Sequence, residues 1–462
     1  MTDGLEISEV RLSELERTIR FDSEFYRKSF LKENEILKGI PHLSLTDKVK
    51  VSDGNHMSIS EKFLLNGIPY YRGQDVKSFF IEDSTPICID EQTFNNTYMK
   101  RSHLEYGDIL LSIVGTIGSV SLVSTQNKST CSCKLAILRP NLCDSDIIAL
   151  FLSSKYGQHQ IKRLTRGAVQ MGLILEDIDQ IVFPVFGDKF KSKVSENIKR
   201  VKELKQKSVS EYFSAENLLN DYLGVSDFDE NSCAVKSLSQ SFKQSGRLDA
   251  EYYLPKYDAL FETLSKFTTA NLGELVSIKK SIEPGSEAYQ DEGIPFVRVS
   301  DVNKFGISEP SIRLSPAIVS DIESLYPRKN TILLSKDGSI GIAYKVEEDM
   351  QVVTSGALLH LTVKDTSQIL PDYLTLTLNS QIVQLQAERD CNGAIIQHWK
   401  PSDIEKVRIP VLDTDKQKEI SDKVQESFRL RKEAKRLLEK AIKAVETAIE
   451  TDEETALKLF AL

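Results

Sequence analysis

"RLDAEYYLPKYDAL" (Arg247–Leu260) repeats the pattern of "RFDSEFYRKSF" (Arg20–Phe30): Arg, apolar residue, Asp, small residue, Glu, aromatic residue, Tyr. Three more blocks return in the same order. "GIPYYRGQDV" from Gly67 returns as "GIPFVRVSDV" from Gly293, 226 positions on. "DILLSIVGTIGSV", containing Gly115, returns as "TILLSKDGSIGIA", containing Gly338, 223 positions on. "RGAVQMGLILEDIDQIVFPV" matches "NGAIIQHWKPSDIEKVRIPV", with Gly167 and Gly393 again 226 apart. This period is far too long for a solenoid repeat. The chain carries a duplicated domain.

Each block has a readable element. The Gly115 and Gly338 blocks are β-rich runs around a glycine-containing turn and predict hairpins, with both glycines structural. "GIPYYR" and "GIPFVRV" predict strands with Pro at the strand start. "DSDIIALFLSSKYGQHQIKRL" predicts a helix capped at Asp144 or Asp146, and "LPDYLTLTLNSQIVQLQAERD" its equivalent, begun by Pro371. The expected fold class is α+β, twice over.

Each copy ends in a long charged stretch with apolar residues three and four apart. In the first these are Val194, Ile198, Val201, Leu204 and Val209. In the second they are Ile420, Val424, Phe428, Leu437, Ile442, Val445 and Ile449. That spacing predicts amphipathic helices of about 35 residues, roughly 50 Å at ~1.5 Å per residue. Such a rod cannot bury its stripe alone. Either the two pack together as an antiparallel coiled-coil spacer, the economical solution, or each folds back on its own domain. The expected segments are 1–187, first recognition domain; 188–222, first long helix; 223–246, linker; 247–412, second recognition domain; 413–450, second long helix; and 451–462, tail.

The 462 residues exceed what a single core organises, and 40% hydrophobic with 27% charged residues is ordinary for a soluble globular protein. The first residues lack a basic-then-apolar leader, and the apolar runs are broken by Ser and Gly, so the expectation is a reduced, cytoplasmic protein away from membranes. "CSC" at Cys131 and Cys133 has no second pair at ligand spacing, which favours buried free thiols over a metal site. A net charge of −9 argues against coating nucleic acid unaided, yet allows local basic surfaces. Neither phosphate-binding glycine fingerprint is present, nor is an Asn/Asp-Pro-Pro-aromatic stretch. A reader or adaptor is favoured over an enzyme.

Taken together and in this order, "RLDAEYY", "GIPFVRVSDV", "ILLSKDGSIG" and "NGAIIQHWKPSDIEKVRIPV" followed by "TDKQKEI" resemble the specificity subunit of type I DNA restriction-modification enzymes. The resemblance implies two target-recognition domains on an antiparallel coiled coil, each reading half of a split double-stranded DNA target. It implies two adenine-N6 methyltransferase subunits docked on the chain, joined by restriction or translocase subunits. S-adenosylmethionine and ATP with Mg then belong to the partners, and this chain binds no cofactor. The first long stretch lacks the Gln that the second has at Gln417, so the two helix starts are expected to dock unequally. The rival class is a non-catalytic adaptor or defence scaffold without sequence specificity.

Lys and Arg on phosphates set register, while Arg, Lys, Asn and Gln on base edges set sequence. The candidates in the first copy are Arg72, Lys100, Arg101, Lys155, Lys162, Arg163, Arg166 and Gln170. Those between 155 and 170 include four cations with no acid among them, a potential phosphate track. In the second copy they are Arg298, Lys336, Arg389, Gln397, His398 and Lys400, although for His398 packing is the stronger reading. His398 and Trp399 read as packing residues. Arg20 with Asp22, and Arg247 with Asp249, are expected to be structural, joining each domain to the helical spacer.

Overall fold

The computed structural model describes residues 6–12, 15, 20–84, 86–141, 144–167, 171–225, 233–318, 321–391 and 397–461. Its helices include α1 (Lys28–Lys38), α2 (Ser145–Ser153), α3 (Lys155–Leu164), α4 (Asp188–Leu223), α5 (Pro255–Ser265), α6 (Pro371–Asn379), α7 (Gln381–Asp390) and α8 (Thr414–Glu450). The chain forms two compact units. One comprises Met1–Glu203 together with Glu433–Leu462, the other Leu204–Lys432. The long helices α4 and α8 are therefore each shared between units rather than forming bodies of their own.

In the first unit an antiparallel sheet runs Val49–Asp53, Leu135–Pro140, Ile109–Ser112, Val120–Leu122. In the second the same order recurs as Val276–Lys280, Leu358–Val363, Ile332–Ser335, Ala343–Lys345. The central strands are buried along their whole length, as the unbroken "ILL" runs require. The Ile68–Tyr71 strand pairs in parallel with Thr130–Cys131, and Ile294–Val297 likewise with Val353–Thr354. Short strands close each fold, His42–Ser44 with Val182–Pro184 and Thr269–Asn271 with Arg408–Pro410. Both copies are α+β, as expected.

Glycine conformation explains the hairpins. Gly115 and Gly118 have φ of +84° and +90°, and Gly338 and Gly341 +75° and +77°, a region that side chains bearing a Cβ avoid. At the second glycine of each pair space is also short. A Cβ on Gly341 would come within 2.7 Å of Gln384, and one on Gly118 within 3.0 Å of Gln158.

Several expectations need correction. The single helix expected after Asp144 breaks at Ser154, whose hydroxyl accepts from the Gly157 N–H and starts α3; the second copy breaks at Ser380 between α6 and α7. Asp144 occupies the N-cap position of α2, but its side chain makes no capping bond. It pairs instead with Lys191 of α4 at 3.2 Å and Lys48 at 3.6 Å. That contact answers the missing glutamine. Gln417, buried at the start of α8, donates to the carbonyls of Gln368 and Leu412 and accepts the Leu370 N–H. Lys191, 226 positions earlier, fastens the first copy by an ion pair.

Within each unit the long helices pack antiparallel. In the second unit Ser208 meets Ser427 at 3.0 Å and Glu211 meets Lys423 at 3.4 Å. In the first, the Asn197 amide donates to the Leu437 carbonyl, and the Gly187 N–H at the start of α4 donates to Glu453, which follows α8. Val194, Ile198, Val201 and Leu204 are buried; Val209 is not and leaves the expected stripe.

Candidate nucleic-acid interface

The surface that could read DNA is set by a frame both copies share. Gln160 accepts the Val182 N–H at 2.8 Å and donates to its carbonyl at 3.0 Å; Gln386 does the same to Arg408. Gln158 ties the Gly118 carbonyl to that of Leu152, and Gln384 ties Gly341 to Leu378. These clamps fix the hairpin and the closing strand to α3 or α7. Sequence reasoning missed them, although Gln-x-Gln recurring 226 positions apart was the signal.

The repeated arginine motif is also part of this frame, at a different place from that expected. The Arg20 guanidinium holds Asp22 at 2.7 Å and donates to the carbonyls of Arg163, Leu164 and Thr165. It therefore closes the C-terminus of α3, where helix carbonyls have no partner of their own. Its bond holds the Asp22 carboxyl below the usual carboxylate range. In the second copy Arg247 holds Asp249 at 2.9 Å, with the same effect on that carboxyl, and lies over the Tyr252 ring. Tyr26 and Tyr253 each donate to the carbonyl of the motif's arginine. In the first copy, then, the motif grips the end of α3 rather than the long helices.

The expected phosphate track does not survive folding. Lys155 pairs with Glu450 of α8, and its N–H donates to Glu446. Arg163 is buried, its guanidinium 4.0 Å from the Phe25 ring centre and donating to the Phe25 carbonyl. Arg166 binds the buried Asp177. Absence of acids from a segment says nothing about acids that folding brings to it. Lys162 stays exposed, and Gln170 lies outside the described residues.

Arg72 and Arg298 fold back onto the turn acids Asp75 and Asp301, at 3.2 and 3.8 Å. Arg389 bonds Asp390 at 2.8 Å and lies over Tyr252 and Phe261. Lys336 is largely covered and bonds Asp337. Lys100, Gln397 and Lys400 are exposed. Trp399 is buried as expected, whereas His398 beside it is exposed, contrary to its reading as a packing residue. Cys131 is buried and Cys133 half-buried, both free thiols; among the described residues no cluster of His, Cys, Asp and Glu could hold a metal ion. No helix among them is long and apolar enough to cross a membrane.

Residues 265–443 match the family model described as the type I restriction modification DNA specificity domain. This segment is similar to that family of DNA specificity domains. The resemblance read from the repeated motifs is to the same family. Among curated proteins none matches the chain. Solved structures similar to it include the type I restriction-modification S subunit from M. genitalium, at 14% identity and TM-score 0.34 over 91% of this chain and 95% of that one. Another is the HsdS subunit from Thermoanaerobacter tengcongensis, at 14% identity and TM-score 0.28 over 91% and 96%. A third comes from work on complex assembly and conformational transition of the type I R-M system, at 13% identity and TM-score 0.29 over 89% and 97%. The likeness rests on the family match.

The matched segment and its first-copy counterpart each present an exposed histidine on a carboxylate. In the matched segment His398 Nδ1 lies 2.8 Å from Asp337, at the hairpin tip. Burial would raise the Asp337 carboxyl, but hydrogen bonds from Lys336 and His398 outweigh it and hold the group low, hence ionised. In the first copy Asp53, the last residue of its strand and almost fully buried, holds both His56 Nε2 and the Arg101 guanidinium. Of these residues only Arg101, Lys336 and His398 were singled out from the sequence. His56 and Asp53 gave no signal because Arg101, the third partner, lies far along the chain.

Proposed function

We propose that the chain is the sequence-specific DNA-recognition subunit of a type I restriction-modification complex, reading an asymmetric two-part target with one half assigned to each unit. On this reading two adenine-N6 methyltransferase subunits dock on it, and restriction or translocase subunits join them. S-adenosylmethionine and ATP with Mg are the partners' ligands, the chain is non-catalytic, and the complex works in the cytoplasm.

The observation that carries the reading is one frame used twice with different side chains at matched places. Sheet order, hairpin glycines and glutamine clamps recur in both copies. At the hairpin tip, where the second copy has Lys336 and Asp337, the first has Ile113 and Val114. Equal surfaces suit a palindrome, since symmetric readers bind symmetric sites; unequal ones suit unlike half-sites. The acidic total fits a chain that binds DNA weakly alone and tightly once methyltransferases add positive surface.

The test is co-expression with an adenine methyltransferase encoded beside it, in a host without other methylation, followed by genome-wide mapping of N6-methyladenine. A split asymmetric motif with a fixed gap is expected. Good expression of both proteins with only background methylation would favour the adaptor without sequence specificity.

A further inference from the structure

Most basic side chains offered by the sequence are turned inward or satisfied by neighbours. Two places differ, because there a carboxylate in the fold holds a basic side chain out toward solvent. In the first unit the Asp53 side chain is 9% exposed, while His56 and Arg101, which it holds, are 58% and 57% exposed. In the second unit Asp337 holds His398, 59% exposed.

The backbone beneath each histidine is fixed. Asn55 is buried, pairs with Cys131 and Cys133 through its backbone, and bonds both the N–H and the carbonyl of Met57 through its amide. Gly54 next to it is packed so closely that a Cβ would come within 2.4 Å of the Cys131 carbonyl oxygen. His398 stands between Gln397, whose carbonyl accepts the Gly338 N–H, and the buried Trp399, whose backbone N–H donates to the Lys336 carbonyl. Ordinary surface ion pairs join mobile side chains and contribute little. Exposed tips on immobile supports are what a recognition contact needs, because little freedom is lost on binding.

The carboxylate also decides the chemistry of the free edge. An ionised carboxylate only accepts hydrogen bonds, so the ring nitrogen facing it carries the proton. In the neutral form of the imidazole the other nitrogen, Nδ1 in His56 and Nε2 in His398, is an acceptor; in the protonated form it is a second donor. In the major groove the donors for such an acceptor are the N6 amine of adenine and the N4 amine of cytosine. Arg101, with one arm on Asp53, keeps N–H groups for the O6 and N7 acceptors of guanine.

We propose that His56 and Arg101 in the first unit, and His398 in the second, are base-reading side chains for double-stranded DNA, with Asp53 and Asp337 as the positioning residues that set their outward edges. The proposal rests on the DNA-reading role above. The two reading heads stand at unmatched positions of the two copies, so duplication did not supply them; each arose on its own copy.

The experiment is methylation mapping of the complete chain co-expressed with its methyltransferase, repeated for His56→Ala, Arg101→Ala, His398→Ala and Asp337→Asn. His56→Ala and Arg101→Ala should relax base preference in one half-site and leave the other intact. His398→Ala should relax the other half-site, and Asp337→Asn should relax the same base position as His398→Ala. The double variant His398→Ala/Asp337→Asn should be no more relaxed than either single one. His398 is more than half exposed, so His398→Ala is expected to leave the melting temperature unchanged; a purely structural role would instead lower it without altering the motif. A wild-type split motif that all four variants reproduce unchanged overturns this inference and leaves the proposed function standing. A wild type that yields no motif overturns both.

Discussion

The two copies solve one folding problem with different chemistry at matched places. Where the second sheet has Lys345, the first has Leu122; where the second has His360, the first has Ile137. Lys345 is buried against Asp372 at 2.7 Å, and Gln425 of α8 donates to the same carboxylate at 2.8 Å. The equivalent carboxyl in the first copy, Asp146, has no lysine at the matched position, and burial raises it above the usual carboxylate range. A shared backbone design therefore tolerates a buried charge in one copy and an apolar residue in the other, provided that the charge brings its own partner.

That contrast can be broken directly. Asp372→Ala should cost about 3 kcal/mol, because it leaves the buried Lys345 ammonium with Glu347 at 3.2 Å and without its buried partner. Asp146→Asn at the matched site should cost about 1 kcal/mol or less, within the range of ordinary hydrogen-bond exchange. Trp399, the only tryptophan, is buried in the second unit, so its fluorescence follows that unit's unfolding in urea while far-ultraviolet circular dichroism follows both. The Asp372 variant should shift the fluorescence transition; a shift of equal size for both variants would contradict the asymmetry.

His360 sharpens the comparison through pH. Burial, aided by Lys279, holds its imidazole down to about 4 from the ordinary 6.5. Between those values the unfolded chain binds more protons than the folded one, so stability rises with pH across that window and is lost as pH falls from 6.5 toward 4. The full effect is roughly 3 kcal/mol, confined to the second unit. His360→Leu should flatten the pH dependence of the fluorescence transition between pH 4 and 6.5, and an unchanged slope would remove His360 as its source.

The two helix starts make a smaller contrast. Gln417→Ala leaves the partly buried Leu370 N–H without its acceptor and should cost about 1–3 kcal/mol. Lys191→Ala, at the partly exposed pair with Asp144, should cost ~1 kcal/mol or less and should lose that effect in high salt. Equal costs would mean that the ion pair and the amide clamp are interchangeable. Smallest of all, Lys155→Ala should weaken the first unit by about 0.5 kcal/mol, again sensitive to salt.

The features legible in the sequence were those written locally or written twice. The duplication, the hairpins about Gly115 and Gly338, the helix begun by Pro371 and the two long helices were readable because turn chemistry and apolar spacing are properties of neighbouring residues. The reading sites were legible only in part, Arg101 standing among many candidates and His56 among none. Whether Arg163 faces solvent depends on Phe25, far away in the chain, and Lys155 on an acid almost 300 positions later. His56 became notable only once Asp53 and Arg101 were seen to meet. Pairwise electrostatics among distant residues has no periodicity to betray it.

The split composition of the first unit also bears on how the protein is made. The second unit is one unbroken stretch, 204–432, so every residue it needs has been synthesised before 433 leaves the ribosome. The first unit, though it begins the chain, waits for residues 433–461. Until Glu453 arrives, the Gly187 N–H at the head of α4 lacks its acceptor. Domains commonly fold in order of synthesis; here the later copy can complete itself first. During translation the earlier copy is the one that exposes its half of α4 longest and has most need of a chaperone.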